Sequence, residues 1–207
     1  QEPMLAGLIY GSREAESWAN SQGKVDFYDI KGDLEAVLAL TGAADGFRIE
    51  QGRHSALHPG QCALLYRGDR EIGVLGQLHP ELQRSLDLAG PAFVFEVALS
   101  GLTPARKPVY GPLSRYPSVR RDLALLVDRD LAAQNLLDCV KNNAGDYLSD
   151  LKVFDVYQGK GIDPHRKSVA LGLTFQHPSR TLNEEEISAS VERVVQRLEE
   201  RFSASLR

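Results

Sequence analysis

Hydrophobic and polar positions change period several times along the chain, and each change predicts an element. Met4 to Tyr10 is a short apolar run that ends at Gly11, the pattern of a strand. Ser12 to Ala19 has helical composition, with Ser12 placed to cap it and acidic residues in its first turn. Asp29 to Leu40 predicts a second helix: Ile30, Leu34, Val37 and Leu38 share a face, Phe27 joins them from upstream, and Thr41-Gly42 ends it. Phe47 to Glu50 is a short strand. Residues 58–80 predict a hairpin. His58-Pro59-Gly60 opens it, Cys62 to Tyr66 runs out, Arg67-Gly68-Asp69 turns, Glu71 to Leu78 returns and His79-Pro80 closes it. Pro80 to Leu86 starts a helix, since proline is tolerated at a first helical position. Phe93 to Leu99 is a strand with Phe93, Phe95, Val97 and Leu99 on one face. This order predicts an α+β unit with an antiparallel sheet.

Thr103 to Pro117 holds Pro104, Pro108, Pro112 and Pro117 with little apolar content, which reads as a linker. The expected domains are therefore 1–102, a connection over 103–117, and 118–207. The second domain alternates as strand (Asp122 to Val127), helix (Leu131 to Asn143), strand (Leu151 to Tyr157), strand (Lys167 to Phe175), helix (Asn183 to Phe202) and a last short strand (Ala204 to Arg207). Ala132, Leu136, Cys139 and Val140 line one helix, and Ile187, Val191, Val194, Leu198 and Phe202 line the other. Thr181-Leu182-Asn183-Glu184 is a candidate capping box, and Glu185 and Glu186 suit the positive end of the helix dipole. The order βαββαβ is the ferredoxin-like arrangement, with helices on one sheet face and the other face open.

Composition narrows the function classes. The 207 residues are 43% hydrophobic and 25% charged, ordinary for a globular protein with a sizeable core. Net charge is −4, and neither part is basic: 11 basic and 14 acidic residues precede position 116, and 13 and 14 follow. Nucleic acid is thus not gripped by charge alone; shape and stacking, or another subunit, must supply selectivity. Cys62 and Cys139 fall in apolar patterns and read as small buried hydrophobes rather than a disulfide. No apolar run reaches the ~18 residues of a membrane span. The start, Gln1-Glu2-Pro3, resembles neither a signal nor a transit peptide and lacks an initiator methionine, so the chain is expected to be a piece of a longer one.

Motifs for catalysis or metal binding are weak. His54 and His58 are four apart, but Pro59-Gly60 argues against a helix there, and no HExxH or cysteine pair supports zinc. His79, His165 and His177 lie beside prolines or in turns. Gly159-Lys160-Gly161 lacks the spacing of a Walker loop, and no GxSxG elbow is present. The better candidate lies in Phe154-Asp155-Val156-Tyr157. Asp155 and Tyr157, two apart in a strand, share a face; Phe154 and Val156 are expected to point into the helix-covered core. The next strand offers Val169, Leu171, Leu173 and Phe175 to the core, and Ser168, Ala170, Gly172 and Thr174 to the open side. An aromatic on an open sheet can stack an unpaired base, and a carboxylate beside it can accept from a base N–H. Against this stands the ordinary alternative: an exposed tyrosine in a cross-strand pair and an aspartate capping a turn.

The same residues carry a resemblance. Phe154-Asp155-Val156-Tyr157-Gln158-Gly159-Lys160-Gly161, Lys167-Ser168, Ser179-Arg180-Thr181-Leu182 and, upstream, Tyr116-Pro117-Ser118-Val119-Arg120-Arg121-Asp122 resemble the C-terminal anticodon-binding domain of the bacterial phenylalanyl-tRNA synthetase β subunit. The blocks Val25 to Asp33, Leu57 to Gln61 and Gly76 to Glu81 are similar to the catalytic-like module of that subunit, a class II synthetase-like fold where no chemistry occurs. The resemblance implies anticodon contacts from Asp155, Tyr157 and Ser168, no catalytic or metal residues, and packing against a catalytic α subunit in an α2β2 enzyme. It implies that ATP and Mg are handled by the α subunit, with no cofactor on this chain, and that the location is cytoplasmic, without membrane or DNA partners. The alternative class is a ferredoxin-like regulatory or small-molecule-binding module attached to an interaction domain.

Overall fold

The computed structural model describes every residue except Pro104, Pro108, Gly111 and Pro112. Three prolines of the predicted linker thus lie outside the described residues. The chain divides into two compact units, Gln1–Tyr110 and Gly111–Arg207. Segments on either side of the junction are tied to their own unit. The Arg106 N–H donates to the Thr41 carbonyl at 2.7 Å, whereas Ser114 Oγ donates to the His177 carbonyl at 2.9 Å.

In the first unit, β1 (Met4–Tyr10), β2 (Phe47–Gln51), β3 (Leu57–Arg67), β4 (Arg70–Leu78) and β5 (Ala92–Ala98) form one antiparallel sheet in the order β1-β5-β4-β3-β2. Helix α1 (Phe27–Ala39) packs its Ile30, Leu34 and Leu38 stripe against Leu65, Leu75, Phe93, Phe95 and Val97. Gly7 lets β1 approach: a Cβ there would lie 2.4 Å from the Phe95 ring. Gly68 turns the β3–β4 hairpin at φ +60°, a backbone region that glycine enters without steric cost. Strand β3 begins at Leu57, so His58-Pro59-Gly60 lies inside it. A register shift between Leu57 and Cys62 accommodates the proline. Pro80 starts α2 (Pro80–Ser85) as expected. Leu99 does not extend β5; it starts a short helix, α3 (Leu99–Leu102), and is exposed.

Ser12 to Ala19 is the clear departure from the sequence expectation, being bends and turns rather than a helix. The segment has no apolar stripe to bury, and Trp18 is 99% exposed. Its backbone is spent on pairing instead: Val25 N–H donates to Gly11 O at 3.1 Å, and Arg13 N–H to Gly23 O at 2.9 Å. This brings the Arg13 guanidinium to 2.9 Å from both Asp26 and Asp29. Those two aspartates form the capping box that starts α1 at Phe27, two residues before the expected start.

In the second unit, β6 (Val119–Asp128), β7 (Leu148–Tyr157), β8 (Arg166–Phe175) and β9 (Ser205–Leu206) form an antiparallel sheet in the order β7-β8-β6-β9. Helices α4 (Ala133–Asn143) and α5 (Glu184–Phe202) pack on one face. Leu136, Cys139, Val140, Ile187, Val194 and Leu198 meet Leu125, Val127, Val169, Leu171, Leu173 and Phe175 there. This is the βαββαβ order expected. Cys62 and Cys139 are free and buried, and burial pushes both thiols up. Among the described residues no helix is long and apolar enough to cross a membrane.

The start of α5 differs in detail from its prediction. Asn183 is the cap and Glu186, not Glu184, closes the box, with Glu186 N–H donating to Asn183 Oδ1 at 2.8 Å. Glu184 is left to pair with Arg121 at 2.5 Å. Glu186 also takes a forked pair of hydrogen bonds from Arg180, at 2.7 and 2.5 Å. This fork, then the Asn183 N–H, holds its carboxyl down at about 2.

Two stability measurements check these anchors. Asp26→Ala removes the α1 cap and is expected to cost about 1 kcal/mol by denaturant unfolding; no loss would show the Arg13 clamp to be idle. Glu186→Gln keeps an acceptor for the capping box but removes the charge. Because the folded value lies below the ordinary 4.5, the charge stabilises the fold above that pH and the benefit fades as pH falls towards about 2. The melting-temperature gap between wild type and variant should therefore be constant at neutral pH and close in acid; a gap that widens in acid contradicts the assignment.

Candidate nucleic-acid interface

Helices cover one face of the second sheet, and the residues on the other face decide what it can meet. The central strand β8 presents Ser168, Ala170, Gly172 and Thr174 there, a floor of small side chains. On one side β6 contributes Arg120, Asp122, Ala124 and Leu126, the ladder partners of Thr174, Gly172, Ala170 and Ser168. On the other, β7 contributes Lys152, Asp155 and Tyr157, opposite Gly172, Ala170 and Ser168. Asp155 and Tyr157 are thus brought to the same face, as their spacing predicts.

Strict alternation fails between them and the rest of β7. The register shifts between Val153, opposite Leu171, and Asp155, opposite Ala170. Phe154 is the extra residue of this bulge, and a bulge re-aims the side chain it carries. Phe154 is not in the core. It is 48% exposed, and the Arg120 guanidinium lies 5.1 Å from its ring centroid. Arg120 belongs to the open face: a Cβ on Gly172 would lie 3.0 Å from its Nη2, and Asp122 accepts from its Nε at 2.7 Å. The expectation that Phe154 joins the core is therefore wrong. Val156 is opposite the buried Val169 but is itself 51% exposed, because β7 is an edge strand and the helices leave its end uncovered.

Tyr157 closes the other end of the face and is 38% exposed. Its hydroxyl donates to the Lys160 carbonyl at 3.2 Å in the turn after β7. The Arg207 guanidinium, from beside β9 at the opposite sheet edge, lies 5.6 Å from its ring centroid. The two side chains meet across β8 and β6, and Ser168, beside Tyr157 in the ladder, is only 5% exposed. Ser168 is thus on the predicted face but covered. Asp155 is exposed, and its carboxylate has no hydrogen-bond or ion-pair partner among the described residues.

The face therefore holds two aromatic rings, each with an arginine stacked on it, around a small-residue floor and beside an open carboxylate. Guanidinium groups and nucleobases both favour the face of an aromatic ring, so this arrangement suits an unstacked single strand. Sequence reasoning missed Phe154, Arg120 and Arg207. Alternation could not reveal a bulge, and nothing local marks an arginine that reaches across two strands.

Comparison with known proteins gives this geometry a family. Residues 114–207 match the family model described as the ferredoxin-fold anticodon binding domain, and residues 1–99 match that of the phenylalanyl tRNA synthetase beta chain CLM domain. Over 207 residues the chain is 55% identical to the phenylalanine–tRNA ligase β subunit of Pseudomonas fluorescens. The chain belongs to the phenylalanine–tRNA ligase β-subunit family. The β subunits of Coxiella burnetii and Idiomarina loihiensis are 48% and 44% identical, again over the whole of this chain. In each case the chain spans 26% of the relative's length, about a quarter of these β subunits. The regulatory-module alternative is not favoured, since the second half matches an anticodon-binding domain model and the whole chain aligns with β subunits.

The assignment of faces is open to measurement. Phe154→Ser and Tyr157→Ala should each change unfolding free energy by no more than about 1 kcal/mol, the range for surface positions, whereas Leu171→Ala should cost about 2–5 kcal/mol. Losses at the aromatics as large as at Leu171 would place them in the core.

Proposed function

We propose that this chain is the C-terminal part of the β subunit of a phenylalanine–tRNA ligase, and that its open ferredoxin-fold face binds the anticodon of the cognate tRNA. One observation supports this reading most: a tyrosine with an arginine over its ring stands beside an aspartate that has no partner among the described residues, on a sheet face without helices, inside the segment similar to anticodon-binding domains. In this reading an anticodon base takes the place of the Arg207 guanidinium on the Tyr157 ring. Asp155 accepts from a base N–H, and Ser168 becomes reachable once Arg207 has moved aside. Arg207 then meets the phosphate backbone, so that stacking and one local charge substitute for a basic surface the chain lacks.

The remaining parts follow from the same reading. Residues 1–102 are the C-terminal part of a class II synthetase-like module without chemistry of its own, 103–117 connect, and 118–207 read the anticodon. The module packs against the catalytic α subunit in an α2β2 enzyme in the cytoplasm. Joining phenylalanine to tRNA consumes ATP with Mg, and those ligands belong to the α subunit.

The test is a titration of the assembled ligase with cognate and single-base-substituted anticodon stem-loops. Tyr157→Ala is expected to weaken binding by about 1–3 kcal/mol, and Tyr157→Phe to retain most of it. Asp155→Ala should lose discrimination at one base more than overall affinity, because base contacts carry specificity. Unchanged binding by Tyr157→Ala would remove the anticodon from this face.

A further inference from the structure

The bulge in β7 places a second aromatic on the open face, and the face around it is built like the surroundings of the first. Phe154 and Tyr157 are each half-exposed, and each carries an arginine on its ring, at 5.1 and 5.6 Å. Ala170 and Gly172 lie on the floor beside them. A side chain at Gly172 would take the space the Arg120 guanidinium uses. Arg120 Nε also donates to Asp122 at 2.7 Å, and its guanidinium carbon lies 5.1 Å from the Phe154 ring centroid. A phenyl ring left half in water at a bulge gains nothing for the core, and Leu148, Leu151 and Val153 already supply the β7 contribution to it. Three residues of strand separate the rings by up to about 10 Å, a span that two neighbouring nucleotides of an unstacked strand can cover.

We infer that Phe154, held with Arg120, is a second base-stacking platform, which takes a loop nucleotide next to the one on Tyr157. This rests on the reading of the face as the anticodon interface and extends it from one base to two. Its ligand is a single-stranded RNA segment with two splayed bases. Arg120 has two roles: it occupies the ring in the free protein, and it covers the incoming base or meets its phosphate in the complex. Arginine suits these roles better than lysine, because only the planar guanidinium stacks.

The experiment uses the assembled ligase and a fluorescent anticodon stem-loop, with each loop nucleotide made abasic in turn. Phe154→Ala is expected to weaken binding of the intact loop about five- to a hundredfold, the range of a lost stack. Phe154→Tyr should restore most of it, and Arg120→Lys should fall between. The decisive result is coupling. One abasic position should weaken wild type but add no further loss to Phe154→Ala, and it should adjoin the position coupled to Tyr157→Ala. If Tyr157→Ala weakens binding while Phe154→Ala does not, the second platform is wrong and the first reading stands. If neither weakens it, both fail. A loss in Phe154→Ala that is additive with every abasic position also overturns the inference, because the phenyl ring would then act on the fold and not on a base.

Discussion

Strand β8 has to satisfy two different surroundings at once, and the second unit is arranged around that requirement. Its inward residues Val169, Leu171, Leu173 and Phe175 are almost fully excluded from water and meet both helices. Burying such side chains is worth about 1.5–3 kcal/mol each, which makes this stripe a substantial part of the cohesion of the unit. No helix of the unit's core packs over its outward residues. They are Ser168, Ala170, Gly172 and Thr174, small enough to leave space above the sheet. Larger apolar groups in their place would present a sticky surface to water. Small ones instead provide a floor over which side chains from both sheet edges can lie.

Four side chains use that space. Phe154 and Tyr157 come from the β7 edge, Arg120 from β6 and Arg207 from the far side of β6. The arginines shield ring faces that would otherwise be wet, and a guanidinium stacked on a ring is readily exchanged for another flat group. A binding face of this kind needs little net positive charge, in keeping with a chain at −4. In the proposed reading, selectivity for single strands would come from geometry, since paired bases cannot present their faces to a tyrosine.

Helix starts show a related economy of local chemistry and distant support. Both α1 and α5 open with a reciprocal capping box, and in each an arginine holds the acidic members: Arg13 for Asp26 and Asp29, Arg180 for Glu186. Arg180 also lies 5.9 Å from the Tyr147 ring centroid, and Tyr147 packs on His177, so the loop before α5 is tied to the segment before β7. Arg13 reaches its aspartates only because residues 11–25 fold back on themselves through backbone pairing.

The sequence by itself determined the order of elements and the sides of most of them. Period-2 alternation in β8 and the apolar stripes of α4 and α5 depend on residues close in the chain, and the physics that orients them is local. It also determined that Asp155 and Tyr157 share a face, because two residues of strand return a side chain to the same side. Tertiary structure alone decided the rest. The bulge that turns Phe154 outward arises from matching β7 to β8, a register that no run within β7 encodes. Ser168 is polar and outward by pattern, yet it is covered, because Tyr157 and Arg207 meet across the sheet from positions fifty residues apart in the chain. The failed helix at Ser12 to Ala19 has the same cause: its composition allows a helix, but without an apolar stripe to pack, the backbone pairs with residues 23–25 instead. Local pattern sets which way a residue starts out; contacts between distant segments decide what finally covers it.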